Sequence, residues 1–150
     1  MTPPLLEPGA IRLGLSAADR MDAVAQAGEV LLQIGAVERP YLEAMVEREL
    51  SLSTFLGEGF ALPHGTDASR AHVRHPAIAV LQFPEGVDWD GQPVQVAIAV
   101  ASATDEHVRV LAQVAGVISD PGCAQRLRAA TDPGDVLELL QPAPQEELAR

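Results

Sequence analysis

Cysteine is nearly missing from this sequence: Cys123 stands alone among 150 residues, so neither an intramolecular disulfide nor a cysteine metal cluster can form. Its setting, Pro121-Gly122-Cys123-Ala124, carries no catalytic pattern, and the thiol is expected to be a buried or partly buried structural residue. Aromatic residues are scarce as well, at 3%, although 47% of the chain is hydrophobic. The core must then be built from small and branched aliphatics, which suits strands sandwiched between helices. No apolar run approaches the ~20 residues that cross a bilayer, and Met1-Thr2-Pro3-Pro4 lacks the charged and apolar regions of a secretory signal. A cytoplasmic protein without membrane insertion is expected. Basic residues are outnumbered, 10 against 21 acidic, for a net charge of −11. So acidic a surface repels a phosphate backbone and argues against nucleic acid as a partner; it suits encounter with a basic protein, or solubility alone.

Several catalytic signatures are also absent. There is no Gly-x-Ser-x-Gly elbow, no Walker-type loop and no Gly-x-Gly-x-x-Gly fingerprint, which argues against a serine hydrolase, a nucleotide kinase and a dehydrogenase. No metal-ligand spacing such as His-Glu-x-x-His occurs. Neither a metal nor another cofactor is expected.

What is present reads as one α/β domain spanning 1–150, with a core over about 10–141 and a polar tail over 142–150. Ala10 to Leu13 suits a short strand. Asp19 is placed to cap a helix from Arg20 to Ile34, with Asp22 three residues on as a variant of the capping box. Pro40 suits the first turn of a second helix whose apolar face holds Tyr41, Leu42, Met45 and Val46. Phe60 to Leu62 is short and apolar. Ala77 to Phe83, apolar but for Gln82, is expected to be a strand covered on both faces, with Pro84-Glu85-Gly86 read as the turn after it, and Val94 to Ala101 is expected to be a second buried strand. Thr104 or Asp105 can cap a helix from Glu106 to Ile118, and Pro121 and Pro133 start two short helices ending at Arg128 and Leu140.

Four histidines carry the candidate chemistry, since imidazole alone titrates near neutrality without assistance. His64, between Pro63 and Gly65, stands where strand-like sequence ends, a place where functional groups gather in α/β sheets, though its setting equally suits an incidental loop histidine. Proline stiffens the approach, and glycine there would let another protein come close to the backbone. Thr66 adds a hydroxyl. His107 falls in the first turn of a helix, where free amides favour anions; Asp105 and Glu106 beside it equally suit an ordinary acidic helix start. His72 and His75 lie in a polar connection and read as solvated loop residues. Arg48, near the end of the second helix, matters only if the loop it faces carries phosphate.

Two segments carry a family likeness: Tyr41-Leu42-Glu43-Ala44-Met45-Val46-Glu47-Arg48-Glu49, and Phe55-Leu56-Gly57-Glu58-Gly59-Phe60-Ala61-Leu62-Pro63-His64-Gly65-Thr66. Together they resemble the phosphorylation segment of the mannitol-type enzyme IIA of the sugar phosphotransferase system. Phe83-Pro84-Glu85-Gly86-Val87, Asp105-Glu106-His107 and Val136-Leu137-Glu138-Leu139-Leu140 resemble three further family segments in the right order, so the likeness runs from about Ile11 to Leu140.

The resemblance implies a mixed sheet with helices on both faces and a phosphotransferase that works through a phosphohistidine. HPr, the phosphocarrier protein, would donate a phosphoryl group to His64. His64 would pass it to a cysteine of enzyme IIB during uptake, through membrane enzyme IIC, of mannitol or a related hexitol. By position, His107 and Arg48 would be the active-site partners, with Thr66 and Gly65 beside the phosphoryl group. Phosphate is expected on Nε2 of His64, and a shallow apolar face including Phe60 and Leu62 would receive the partners. Cys123 lacks the phosphate-cradling loop of a IIB cysteine, so the IIA step alone is expected in these residues. Two alternatives stand beside this reading. One is a regulatory IIA-like protein whose phosphorylation governs partner binding; the other is a histidine-dependent metal hydrolase.

Overall fold

The computed structural model describes residues 5–102 and 107–140, with 107–111 as backbone alone. The chain runs β1 (Ile11–Arg12), α1 (Arg20–Gln33), α2 (Pro40–Ser51), β2 (Phe55–Gly57), β3 (Phe60–Ala61), β4 (Ala77–Trp89), β5 (Gln92–Ala101), α3 (His107–Ser119), α4 (Pro121–Arg128) and α5 (Pro133–Leu140). The five strands form one mixed sheet in the order β1-β4-β5-β3-β2. β1 pairs parallel with β4 and β3 parallel with β5, whereas β4–β5 and β2–β3 are antiparallel.

The helices begin where their caps demand. Asp19 accepts a hydrogen bond from the Asp22 amide at 2.8 Å, while the Asp22 carboxylate accepts from the amide of Ala18 at 2.9 Å. This is a reciprocal box, with its return bond moved one residue outward. Asp120 caps α4 by accepting from the amides of Gly122 and Cys123, with Pro121 in the first turn, where its missing N–H costs nothing. α1 buries Ala23, Val24, Ala27, Val30 and Leu31, a stripe with helical spacing, against β4 and β5. α1 packs with α2; α3, α4 and α5 pack with one another. Every residue of β4 from Ala77 to Phe83 is buried, as a strand covered on both faces must be.

One turn lies elsewhere than expected. Pro84-Glu85-Gly86 does not end the strand; it is a bulge inside β4. Gln82 faces Val96, and pairing resumes with Val87 facing Val94, so five steps along β4 match two along β5. Pro84 and Glu85 project into solvent there, which suits a residue with no amide to give the ladder. The chain reverses instead at Asp90-Gly91, both with positive φ (58° and 92°), flanked by the Trp89–Gln92 pair. That is the Asp-Gly type I′ hairpin, and the Asp88 carboxylate accepts from the Gly91 amide at 2.8 Å.

Trp89, at the hairpin end, is fully buried, and its indole N–H donates to the Glu49 carboxylate at 2.9 Å. Glu49, 1% exposed, also accepts from the amide of Thr54 at 3.0 Å and from its hydroxyl. Every neighbour of this buried carboxyl is a donor, so the end of α2, the start of β2 and the hairpin are tied at one point. No helix among the described residues is long and apolar enough to cross a membrane.

Candidate active site

The short β3 extends in register beyond its last ladder residue. Phe60 faces Val96 and Ala61 faces Ala97; the same spacing recurs three residues on, where His64 bridges to Val100 and the Val100 amide donates to Pro63 at 3.0 Å. His64 therefore stands at the carboxyl ends of two adjacent parallel strands, the position at which open α/β sheets present their chemistry.

Its ring is held in one orientation. Nδ1 lies 2.8 Å from the carbonyl oxygen of Leu62. A carbonyl can only accept, so in the neutral ring Nδ1 carries the proton and Nε2 carries the free lone pair. The ring is half-buried and borders a cavity of about 210 Å³ lined also by Tyr41, Leu62, Thr66, Arg70 and Ser102.

Tyr41, the chain's one tyrosine, holds this loop to the rest of the fold. It is 3% exposed; its hydroxyl donates to the Val100 carbonyl at 2.9 Å and accepts from the Gly65 amide at 3.0 Å. Burial raises its pKa above the ordinary 10, the opposing effects of Gly65 and Arg70 being smaller, so the hydroxyl stays protonated at neutrality. Gly65 is required for a reason internal to the chain. A Cβ there would fall 2.4 Å from the Ser69 hydroxyl and 2.6 Å from the Tyr41 ring, and its amide is engaged by Tyr41. The close approach that glycine permits is that of Tyr41 and Ser69. A partner protein is not needed to explain it.

The other expected residues fall in different places. Thr66 lines the cavity, and its carbonyl accepts from the amide and hydroxyl of Ser69. Arg48, in the last turn of α2, donates to the Leu52 carbonyl at 2.6 Å, satisfying the end of its own helix. It does not line the cavity; the Leu52 carbonyl to which it bonds lies two residues before Thr54, whose own carbonyl accepts from the Leu62 amide. His107 opens α3, but its side chain, like residues Thr104, Asp105 and Glu106, lies outside the described residues. Phe60 is wholly buried, with the Arg128 guanidinium 5.8 Å from its ring centre, and Leu62 is buried as well, so neither can belong to an exposed partner face. Among the described residues the exposed large hydrophobics are Leu50, Leu52 and Leu56, on the α2–β2 side. His72 lies 3.1 Å from the carboxylate of Glu38, which also pairs with Arg74. Among the described residues no three of His, Cys, Asp and Glu gather as a metal site requires.

The cavity also brings Tyr41 and Arg70 to His64, two residues that their sequence setting does not mark as site residues. The signal for Arg70, a cation six residues after His64, is weak; that for Tyr41 is masked by its place on an apolar helix face.

The family described as "Phosphoenolpyruvate-dependent sugar phosphotransferase system, EIIA 2" matches residues 4–142. The chain belongs to this enzyme IIA family. It is a phosphotransferase component of the sugar phosphotransferase system. It is 37% identical over 133 residues to the mannitol-specific phosphotransferase enzyme IIA component of Staphylococcus aureus (strain MRSA252), covering 89% of this chain and 92% of that protein. It is 42% identical over 138 residues to a multiphosphoryl transfer protein of Escherichia coli O157:H7, 91% of this chain but only 37% of that longer relative. Among solved structures, mannitol IIA of Escherichia coli in complex with phosphorylated mannitol IIB aligns with a TM-score of 0.84 at 34% identity, covering 91% of this chain and 98% of that one. The nitrogen regulatory protein IIA-Ntr of Neisseria meningitidis aligns with a TM-score of 0.74 at 27% identity, covering 91% of this chain and 97% of that one.

Proposed function

We propose that this IIA family member is a cytoplasmic phosphohistidine carrier that accepts a phosphoryl group from phosphorylated HPr on Nε2 of His64 and passes it to a cysteine of enzyme IIB. The sugar served is mannitol or a related hexitol, taken up through membrane enzyme IIC. The observation that carries this reading is the His64 Nδ1–Leu62 carbonyl hydrogen bond at the strand ends, which leaves Nε2 as the nucleophile. In the transfer, the Nε2 lone pair forms a bond to phosphorus as the bond from phosphorus to the donor's ring nitrogen breaks, and the electron pair returns to that nitrogen. The proton on Nδ1 stays where it is, so no general base is needed. Such a transition state is loose and spreads charge over the equatorial oxygens, so the site's task is positioning and charge stabilisation.

Arg48 and His107 serve as phosphoryl-side partners on this reading, as does Thr66 from the cavity wall. Gly65 bears on the phosphoryl group through the loop it allows. The partner face is formed by Leu50, Leu52 and Leu56, in place of Phe60 and Leu62, which are both buried. In structural alignment the identity to mannitol IIA of Escherichia coli, 34% against 27% for the nitrogen regulatory protein, favours transport over regulation.

Intact-protein mass spectrometry after incubation with phosphoenolpyruvate, enzyme I and HPr tests the reading. One acid-labile phosphoryl group is expected, dependent on HPr, dischargeable by IIB and lost in His64→Ala. A His64→Ala chain that is still fully phosphorylated would remove the carrier role from this residue.

A further inference from the structure

The cavity beside His64 holds one guanidinium among the described residues, and it is not that of Arg48. Arg70 lies on the short 3₁₀ helix Asp67–His72 that immediately follows the His64 loop, and it lines the same cavity as His64, Thr66 and Ser102. We infer that Arg70 is a phosphoryl-binding residue, whose guanidinium takes the oxygens of the group on His64 from the cavity side. The inference deepens the proposed carrier function and rests on it.

The present engagement of Arg70 is weak. Its ion-pair partner is Asp67, at 3.6 Å, and the Asp67 side chain is fully exposed. A solvent-screened pair of this kind gives way to a stronger anion at little cost. By contrast, Arg48 is already bonded to the Leu52 carbonyl, and Arg74 is paired with Glu38 away from the cavity. The charge of Arg70 is also felt at the Tyr41 hydroxyl, which is bonded to the amide next to His64.

Chemistry supplies the need. A phosphoryl group on His64 brings a dianion into a chain of net charge −11, beside the carboxylate of Asp67 on the cavity wall. A planar guanidinium can meet two of its oxygens at once. On phosphorylation Arg70 turns from Asp67 to those oxygens, and Asp67 is left to solvent.

Rapid-quench measurement of transfer from phosphorylated HPr, with ³¹P NMR of the product, tests this in Arg70→Gln, Arg70→Lys and Arg74→Gln. Arg70→Gln is expected to slow acceptance at least roughly ten-fold, the scale of one charged hydrogen bond, and to move the phosphohistidine resonance. Arg70→Lys should recover part of the rate, since it keeps the charge without the fork, and Arg74→Gln should match wild type. Wild-type rates and an unmoved resonance in Arg70→Gln would overturn the inference and leave the carrier function standing. A wild-type chain that takes no phosphoryl group from HPr would overturn both.

Discussion

Replacing Gly65 by alanine tests the internal packing of the His64 loop most directly. The added methyl would stand 2.4 Å from the Ser69 hydroxyl and 2.6 and 2.8 Å from two carbons of the Tyr41 ring. Ordinary contact requires roughly 3.5 Å or more, so something must move by about an ångström. Tyr41 cannot yield freely, because its hydroxyl is bonded to Val100 on one side and to Gly65 itself on the other. Overpacking of this kind costs about 1–3 kcal/mol, and loss of the Gly65–Tyr41 hydrogen bond adds about 0.5–1.5 kcal/mol. Gly65→Ala should therefore destabilise the fold by about 2–4 kcal/mol. Urea unfolding followed by the fluorescence of Trp89, the chain's one tryptophan, reads this as a lower midpoint with an unchanged slope. Phosphoryl acceptance should slow as well, because a displaced loop loosens the Nδ1 hydrogen bond of His64. If Gly65→Ala keeps wild-type stability but binds HPr or IIB more weakly, the glycine serves a partner's approach and the internal account is refuted.

Glu49→Ala should cost about 3 kcal/mol or more, since it strands the Trp89 indole N–H and the Thr54 amide inside the protein; Glu49→Gln, which keeps one acceptor, should lie between it and wild type in the same unfolding assay. Tyr41 gives a pH dependence whose sign is fixed by its raised pKa. Above about pH 10 the unfolded chain loses the tyrosine proton that the folded chain keeps, so stability should fall as pH rises from there through the folded pKa. The chain has no lysine to obscure that window, and in Tyr41→Phe this decline should be missing; an identical decline in the variant would assign it elsewhere. Arg48→Ala and His107→Ala should slow transfer by at least roughly ten-fold without unfolding the domain, whereas Arg74→Ala should not; equal rates in all three would return Arg48 to capping its own helix.

Much of this architecture was readable from local chemistry. The start of α1 at Asp19 and the bounds of α4 at Pro121 and Arg128 follow from caps and proline, which act within a turn of where they stand. The buried runs of β4 and β5 declare themselves by hydrophobicity interrupted only at Gln82 and Gln95. Failures came where two distant segments decide the outcome. β2, only Phe55–Gly57, has too few residues to show a period and exists because β3 pairs with it. Pro84-Glu85-Gly86 has the composition of a turn, and only the partner strand shows that it is a bulge. The reversal at Asp90-Gly91 is the exception, a local signal carried by the dipeptide itself. In the site, His64 was marked by its neighbours in sequence, but Tyr41 and Arg70 reach it through α2 and a short 3₁₀ turn. Phe60, apolar and close to His64, looked available to a partner; burial in the sheet removes it.

The hydrogen bond from Nδ1 of His64 to the Leu62 carbonyl has a kinetic consequence for a carrier. With one ring nitrogen engaged, the phosphoryl group can arrive and depart only along the direction of the other. On the proposed function, HPr and IIB must then occupy the same side of the molecule in turn, and neither can bind while the other is seated. Exchange should follow double-displacement kinetics, with parallel lines in reciprocal plots and no ternary complex at any concentration. Each in-line transfer inverts phosphorus, so a chirally labelled phosphoryl group that passes through this protein gains two inversions, and its handedness on IIB is that which it had on HPr.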